Sequence, residues 1–293
     1  LSTPSGGGGG ASAIDDLSDA VTYDTGFSIG LGTGALSSDD GTDNDNTAVG
    51  YYALNATTSG DRNTAVGHEA GKLLTTGARN TLFGYQAGDS LTTGVDNVCI
   101  GEKAGDAFTT TNNNVFIGKQ AGLMCTGGSN TVIGAYAFDA NASGTGSVAI
   151  GTGALGNGGD GNTAVGRSAG AAGEATAAYN CYLGRYSGYE LTTGNDNILI
   201  GYQSGDNLTT GSNNIVIGHD VDASSATATN EITLGNANIT SLRIPGLQSG
   251  ASDGHVLTYN SSNGNLTLAA PSGGGGGGSG VSQAKATALS LIF

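Results

Sequence analysis

Asn63-Thr64-Ala65-Val66-Gly67 and, one period later, Asn80-Thr81-Leu82-Phe83-Gly84 carry the pattern that decides the fold: an asparagine, three strand-forming residues and a glycine. Aligning the chain on that final glycine gives the anchors Gly32, Gly50, Gly67, Gly84, Gly101, Gly118, Gly134, Gly151, Gly166, Gly184, Gly201, Gly218 and Gly235. Eight of the twelve spacings are 17 residues, and the others are 15, 16, 18 and 18. Repetition this regular means a one-dimensional array of short units, each stacking on its neighbours. Within a unit, Asn80-Thr81-Leu82-Phe83-Gly84 is followed by Tyr85-Gln86-Ala87-Gly88 and Leu91-Thr92-Thr93-Gly94. This predicts a strand, a turn at the anchor, a second short strand and a polar turn. The fold expected is all-β, a parallel β-roll or solenoid of about thirteen coils. At about 4.8 Å per coil it is about 60 Å long.

Strand alternation separates two faces. The residue before each anchor is bulky and apolar: Val49, Val66, Phe83, Ile100, Ile117, Ile133, Ile150, Val165, Leu183, Ile200 and Ile217, with Leu31 and Leu234 at the ends. We expect this column to be the core, together with the mostly β-branched residues two positions earlier. The residue between them faces the other way and is also apolar: Ala48, Ala65, Leu82, Cys99, Phe116, Val132, Ala149, Ala164, Tyr182, Leu199 and Val216. A strand that is apolar on both faces is buried on both. A 17-residue coil has one interior, so this middle column is expected to meet another chain, making the protein an obligate oligomer. The asparagines at 46, 63, 80, 97, 114, 130, 162, 180, 197 and 214 are expected to stack in register and satisfy backbone groups at the corner.

Composition narrows the function. Charged residues are 11% and the net charge is -15, which speaks against a nucleic-acid partner. No apolar run reaches the roughly 20 residues of a membrane span. The chain opens at Leu1 without an initiator Met or a signal-peptide pattern, as a processed or partial product would. Cys99 and Cys181 lie five coils apart, about 24 Å at the strand spacing, beyond disulfide reach. Cys125 takes a slot filled elsewhere by Leu74, Leu91, Phe108, Leu191 and Leu208. All three read as structural thiols.

The repeats occupy residues 28–235. Residues 1–27 hold a glycine-rich lead-in and a short helix predicted over 12–21, with Ile14, Leu17 and Val21 on one face. Residues 236–271 read as a small β-rich module ending in a hairpin across Asn263-Gly264. Residues 272–293 combine a glycine linker with an apolar docking segment.

The repeat Asn63-Thr64-Ala65-Val66-Gly67-x-x-Ala70 and its relative Gly146-Ser147-Val148-Ala149-Ile150-Gly151 resemble the head repeats of trimeric autotransporter adhesins and of phage fibres that share them. The resemblance implies a left-handed β-roll and a side-by-side homotrimer. The Leu-Thr-Thr-Gly turns, with Glu231-Ile232-Thr233-Leu234-Gly235-Asn236, look more like structural proteins of tailed, especially marine, phages. A virion-surface fibre or appendage is then implied, attached to other virion proteins through its termini and engaging a host receptor or glycan. A bacterial surface adhesin or extracellular filament is the alternative, and an ice-binding solenoid, prompted by paired threonines such as Thr92-Thr93, a third. Only 50 residues follow Arg243, so no self-cleaving C-terminal chaperone is expected.

No chemistry competes with this reading. His68, His219 and His255 are far apart, the glycines open no phosphate loop, and Asp45, Asp61, Asp96, Asp160 and Asp196 lack calcium-loop spacing. Neither catalysis, cofactor nor metal is expected. Tyr85 and Tyr202, in the position after the anchor, are candidates for stacking on sugar rings.

Overall fold

The computed structural model describes residues 20–22, 27–41, 44–140, 143–156, 158–172, 176–243, 256–260 and 265–269. Each repeat contributes one three-residue strand. After β1 (Ala20–Thr22) come β2 (Ile29–Leu31), β3 (Thr47–Val49), β4 (Thr64–Val66), β5 (Thr81–Phe83), β6 (Val98–Ile100), β7 (Val115–Ile117) and β8 (Thr131–Ile133). The series continues with β9 (Val148–Ile150), β10 (Thr163–Val165), β11 (Cys181–Leu183), β12 (Ile198–Ile200), β13 (Ile215–Ile217) and β14 (Ile232–Leu234). Strands β2 to β14 pair in parallel in sequence order, and β1 closes the first edge antiparallel to β2. The register is strict: Thr64 lies opposite Thr81, Ala65 opposite Leu82, Val66 opposite Phe83. The result is a β-solenoid.

Among the described residues the predicted second strand is absent. Tyr85–Gly88 is a turn, because Gln86 has φ 52° and Gly88 φ 60°. An extended strand has no room for two left-handed residues in three. The same two corners recur throughout, the second just before the asparagine, as at Arg79 with φ 57° and Asp96 with φ 60°. The turn side of each coil still bonds to the next, as in Gln86 N–H to the His68 carbonyl at 2.9 Å and Gly88 N–H to the Ala104 carbonyl at 3.0 Å.

The anchor glycines are obligatory. Gly50, Gly84, Gly151 and Gly218 have φ between 129° and 146°, where only glycine is at ease. A Cβ at Gly151 would lie 2.6 Å from the carbonyl oxygen of Gly166, and Gly50, Gly67 and Gly84 face the next anchor in the same way. The period is therefore enforced by backbone stacking on backbone.

The core corrects the assignment of faces. Ala48, Ala65, Leu82, Cys99, Phe116, Val132, Ala149, Ala164, Leu199 and Val216 are fully buried, and Tyr182 nearly so. These middle residues, expected between chains, form the interior. Val49, Val66, Phe83, Ile100, Ile117, Ile133, Ile150, Val165, Leu183, Ile200 and Ile217, expected to be the core, point outward, and Phe83 is 54% exposed. The interior is completed by small residues three positions after the anchor, such as Ala70, Ala87 and Ala104, and by Leu74, Leu91, Phe108, Cys125, Leu191 and Leu208. Phe108 meets Phe116 edge-on with ring centroids 5.5 Å apart.

At the N-terminal end, the helix predicted over 12–21 falls mostly outside the described residues, and where Ala20 and Val21 are described they belong to strand β1. Beyond the solenoid, β15 (Val256–Asn260) pairs antiparallel with β16 (Asn265–Ala269), and the Asn263-Gly264 turn lies outside the described residues. The chain divides into compact units at Asn238/Ile239. The glycine lead-in and the C-terminal docking segment lie outside the described residues.

Candidate functional site

Three rows of side chains run the length of the solenoid, and they differ in what they offer a partner. The first is the buried asparagine ladder. Asn97 Nδ2 donates to Asn80 Oδ1 at 3.0 Å and to the Thr111 carbonyl at 3.0 Å, while its Oδ1 accepts the Asn114 backbone N–H at 3.0 Å. Asn63, Asn80, Asn180, Asn197 and Asn214 repeat this arrangement. Every polar atom is used internally, so the ladder is structural, as the sequence predicts.

The ladder is not uniform. Amide-to-amide bonds link Asn46 through Asn114 and Asn162 through Asn214. Between them Asn130 Nδ2 turns to Cys125 Sγ and the Gly144 carbonyl, and Ser147 replaces an asparagine. A second row shows the same gap: Thr75 and Thr92 hydroxyls donate to the next coil's carbonyl, and the pattern resumes at Thr192 and Thr209. Spacings of 16 and 15 residues fall in that interval, ending at Gly134 and Gly166.

The third row follows the anchor glycine. Tyr51, His68 and Tyr85 stack along the roll with centroids 5.0 and 5.2 Å apart, and Tyr202 stacks on His219 at 5.0 Å. Arg185 lies over the opposite side of this second pair, 5.8 Å from the Tyr202 ring. Coil-to-coil stacking thus takes one ring face of Tyr85, against His68, and sets Tyr202 between Arg185 and His219. No groups of three or more His, Cys, Asp or Glu side chains suited to a metal occur among the described residues. Nor is there a reactive thiol at Cys99 or Cys125: burial pushes both up, Cys125 to about 11.

What remains is the outer face of the strand ladder. It consists of the column before the anchor and the column two residues earlier: Ile29, Thr47, Thr64, Thr81, Val98, Val115, Thr131, Val148, Thr163, Cys181, Ile198, Ile215 and Ile232. Neither column holds a charged residue, and the rows are half-buried or exposed throughout β3 to β14. Three residues wide and thirteen strands long, the face measures about 10 by 60 Å, about 600 Å² in projection. The sequence carries a signal for its orientation in the threonines at 47, 64, 81, 131 and 163, whose hydroxyls a dry interior would have to satisfy. No protein-family model, curated protein or solved structure matches this chain.

Proposed function

We propose that the protein is a non-catalytic structural fibre or appendage subunit of a tailed phage, a trimeric spacer on the virion surface that takes part in host-surface attachment. The observation that carries the assembly part is the uncharged, largely aliphatic outer face of the strand ladder. Monomeric soluble proteins rarely leave an apolar patch much beyond 300–600 Å² in the open, and a stable interface needs about 800 Å² per partner. At about 600 Å² in projection the flat face lies at the upper end of the first range, and an interface of the second size also draws on the turns that flank it. Three such ribbons turned inward close a triangular prism and leave no apolar edge exposed. With the faces exchanged, the outward columns take the place that the middle column was given in the oligomer argument.

The phage setting rests on the repeat's resemblance to adhesin-head and fibre proteins, and a bacterial surface adhesin or filament built from the same repeat is the alternative. The ice-binding reading loses ground on the outer face itself, where Thr, Val, Ile, Cys and Phe mix instead of forming a regular hydroxyl grid. Light scattering of the purified chain tests the assembly: three chain masses are expected, falling to one in an Ile200→Lys/Ile217→Lys variant. A monomeric wild type would falsify the proposal. Immunogold labelling of particles against cells then separates virion from bacterial surface.

A further inference from the structure

The column after the anchor glycine places charges in a telling way. In consecutive coils Glu102 and Lys119 occupy it with opposite signs and pair at 3.1 Å. Three and four coils further on, Arg167 and Arg185 occupy it with the same sign in adjacent coils, about 4.8 Å apart along the roll. Among the described residues the ion pairs join Arg62 to Asp61, His68 and Lys72 to Glu69, Arg79 to Asp96, and Lys119 to Glu102; neither Arg167 nor Arg185 takes part. In a chain with 24 acidic and 9 basic residues, adjacent arginines without a carboxylate partner among the described residues are a departure from the general balance.

The geometry also holds one of them ready. The Arg185 guanidinium lies 4.7 Å from the Tyr186 ring centroid and 5.8 Å from that of Tyr202, and its Nη2 donates to the Tyr186 hydroxyl at 3.4 Å. Tyr202 is in turn backed by His219. A guanidinium fixed by ring contacts keeps other in-plane N–H groups free for a forked bond to an oxyanion. Both arginines are exposed.

We infer that Arg167 and Arg185 form a binding site for the carboxylate or sulfate groups of an acidic polysaccharide. The inference rests on the surface-attachment reading given above. A saccharide fits better than an acidic peptide for two reasons. The strand backbone beside the site is already paired on both edges, through β10 and β12, leaving none for an added peptide strand. Polar side chains next to the arginines in the same and adjoining coils include Thr152, Ser168, Tyr186 and Gln203, all exposed or half-buried, and they offer the hydroxyl and amide contacts that a saccharide takes. The overall charge of -15 repels polyanions, so binding has to come from a local cluster and weaken steeply with salt.

The test uses the full chain in calorimetry against hyaluronan, which carries carboxylates alone, chondroitin sulfate, which adds sulfates, and neutral dextran. Binding to one or both acidic polymers and not to dextran is expected, weakened at least about tenfold in Arg167→Gln/Arg185→Gln and unchanged in Arg62→Gln, whose charge is already paired. The two acidic polymers tell carboxylate from sulfate recognition. Equal binding by wild type and the double variant, or no binding of either acidic polymer, overturns the site. So does a change in assembled mass on substitution, which would assign the arginines to a contact between chains. Retention of host-cell attachment by the double variant removes the arginine site while leaving the attachment reading intact; loss of attachment in wild type removes that reading independently.

Discussion

Replacing Asn97 by alanine tests the physical account of the solenoid at its most demanding point. The fully buried side chain bonds to both neighbouring coils. Its Oδ1 accepts the Asn114 backbone N–H at 3.0 Å and Asn114 Nδ2 at 3.2 Å, and its Nδ2 donates to the Thr111 carbonyl and to Asn80 Oδ1, each at 3.0 Å. Two partners keep other bonds: Asn80 Oδ1 still receives the Asn97 backbone N–H, and Asn114 Nδ2 still reaches Thr111 Oγ1. Alanine therefore leaves two backbone groups, the Asn114 N–H and the Thr111 carbonyl, without these partners. At about 1–3 kcal/mol for each buried group left unsatisfied, plus a small cavity, the expected loss is about 3–5 kcal/mol. Asn97→Ser should recover part of it, because Ser147 Oγ accepts the Asn162 N–H at 3.1 Å in the corresponding place. Denaturant unfolding gives the total, and hydrogen exchange at the Asn114 amide locates it. A loss below about 1 kcal/mol for Asn97→Ala, with the Asn114 amide still protected, would refute the view that the ladder is a buried network with no slack.

Other consequences follow from the same structure. Gly84→Ala should prevent assembly of a continuous roll, since the new Cβ meets the Gly101 backbone at a φ of 139°; loss of the cooperative thermal transition checks it. Phe116→Ala, inside, should cost about 3–5 kcal/mol, whereas in the assembly proposed above Ile117→Ala, outside, should act mainly by weakening association, visible as a concentration-dependent melting temperature. Burial, then the Asp106 carboxylate, raise Asp89 above its ordinary range, and its Oδ1 is buried without a partner. Its ionised form therefore costs stability above the unfolded value, so Asp89→Asn should raise the melting temperature at pH 7. That gain should shrink as pH falls through the window between the folded and unfolded values. Glu231 behaves oppositely: hydrogen bonds from Ser224, then Thr233, lower it, so its contribution is lost as pH falls through the folded value, and Glu231→Gln should lose its effect in acid. Amides between Gly118 and Gly166, where the asparagine and threonine ladders lapse, should exchange before those on either side.

How much of this was legible beforehand depends on which residues interact through the backbone. The anchor glycines fix a period by themselves, because each stacks on the next at a φ that other residues avoid, and a period of that kind is readable from spacing alone. The asparagine ladder was equally legible, since identical amides one coil apart have each other as nearest partners. Alternation along Thr64-Ala65-Val66 likewise separates two faces without ambiguity. It does not say which face is inside. That depends on the direction in which the chain turns after the glycine, set by left-handed residues such as Gln86 and Arg79 that carry no glycine signature. With the turns in place, Phe116 closes against Phe108 and Gly122, and Ile117 is left outside. Sequence thus determined the repeat, the register and the existence of two apolar faces. The tertiary structure decided which of them is the core, because only the closed coil has an inside.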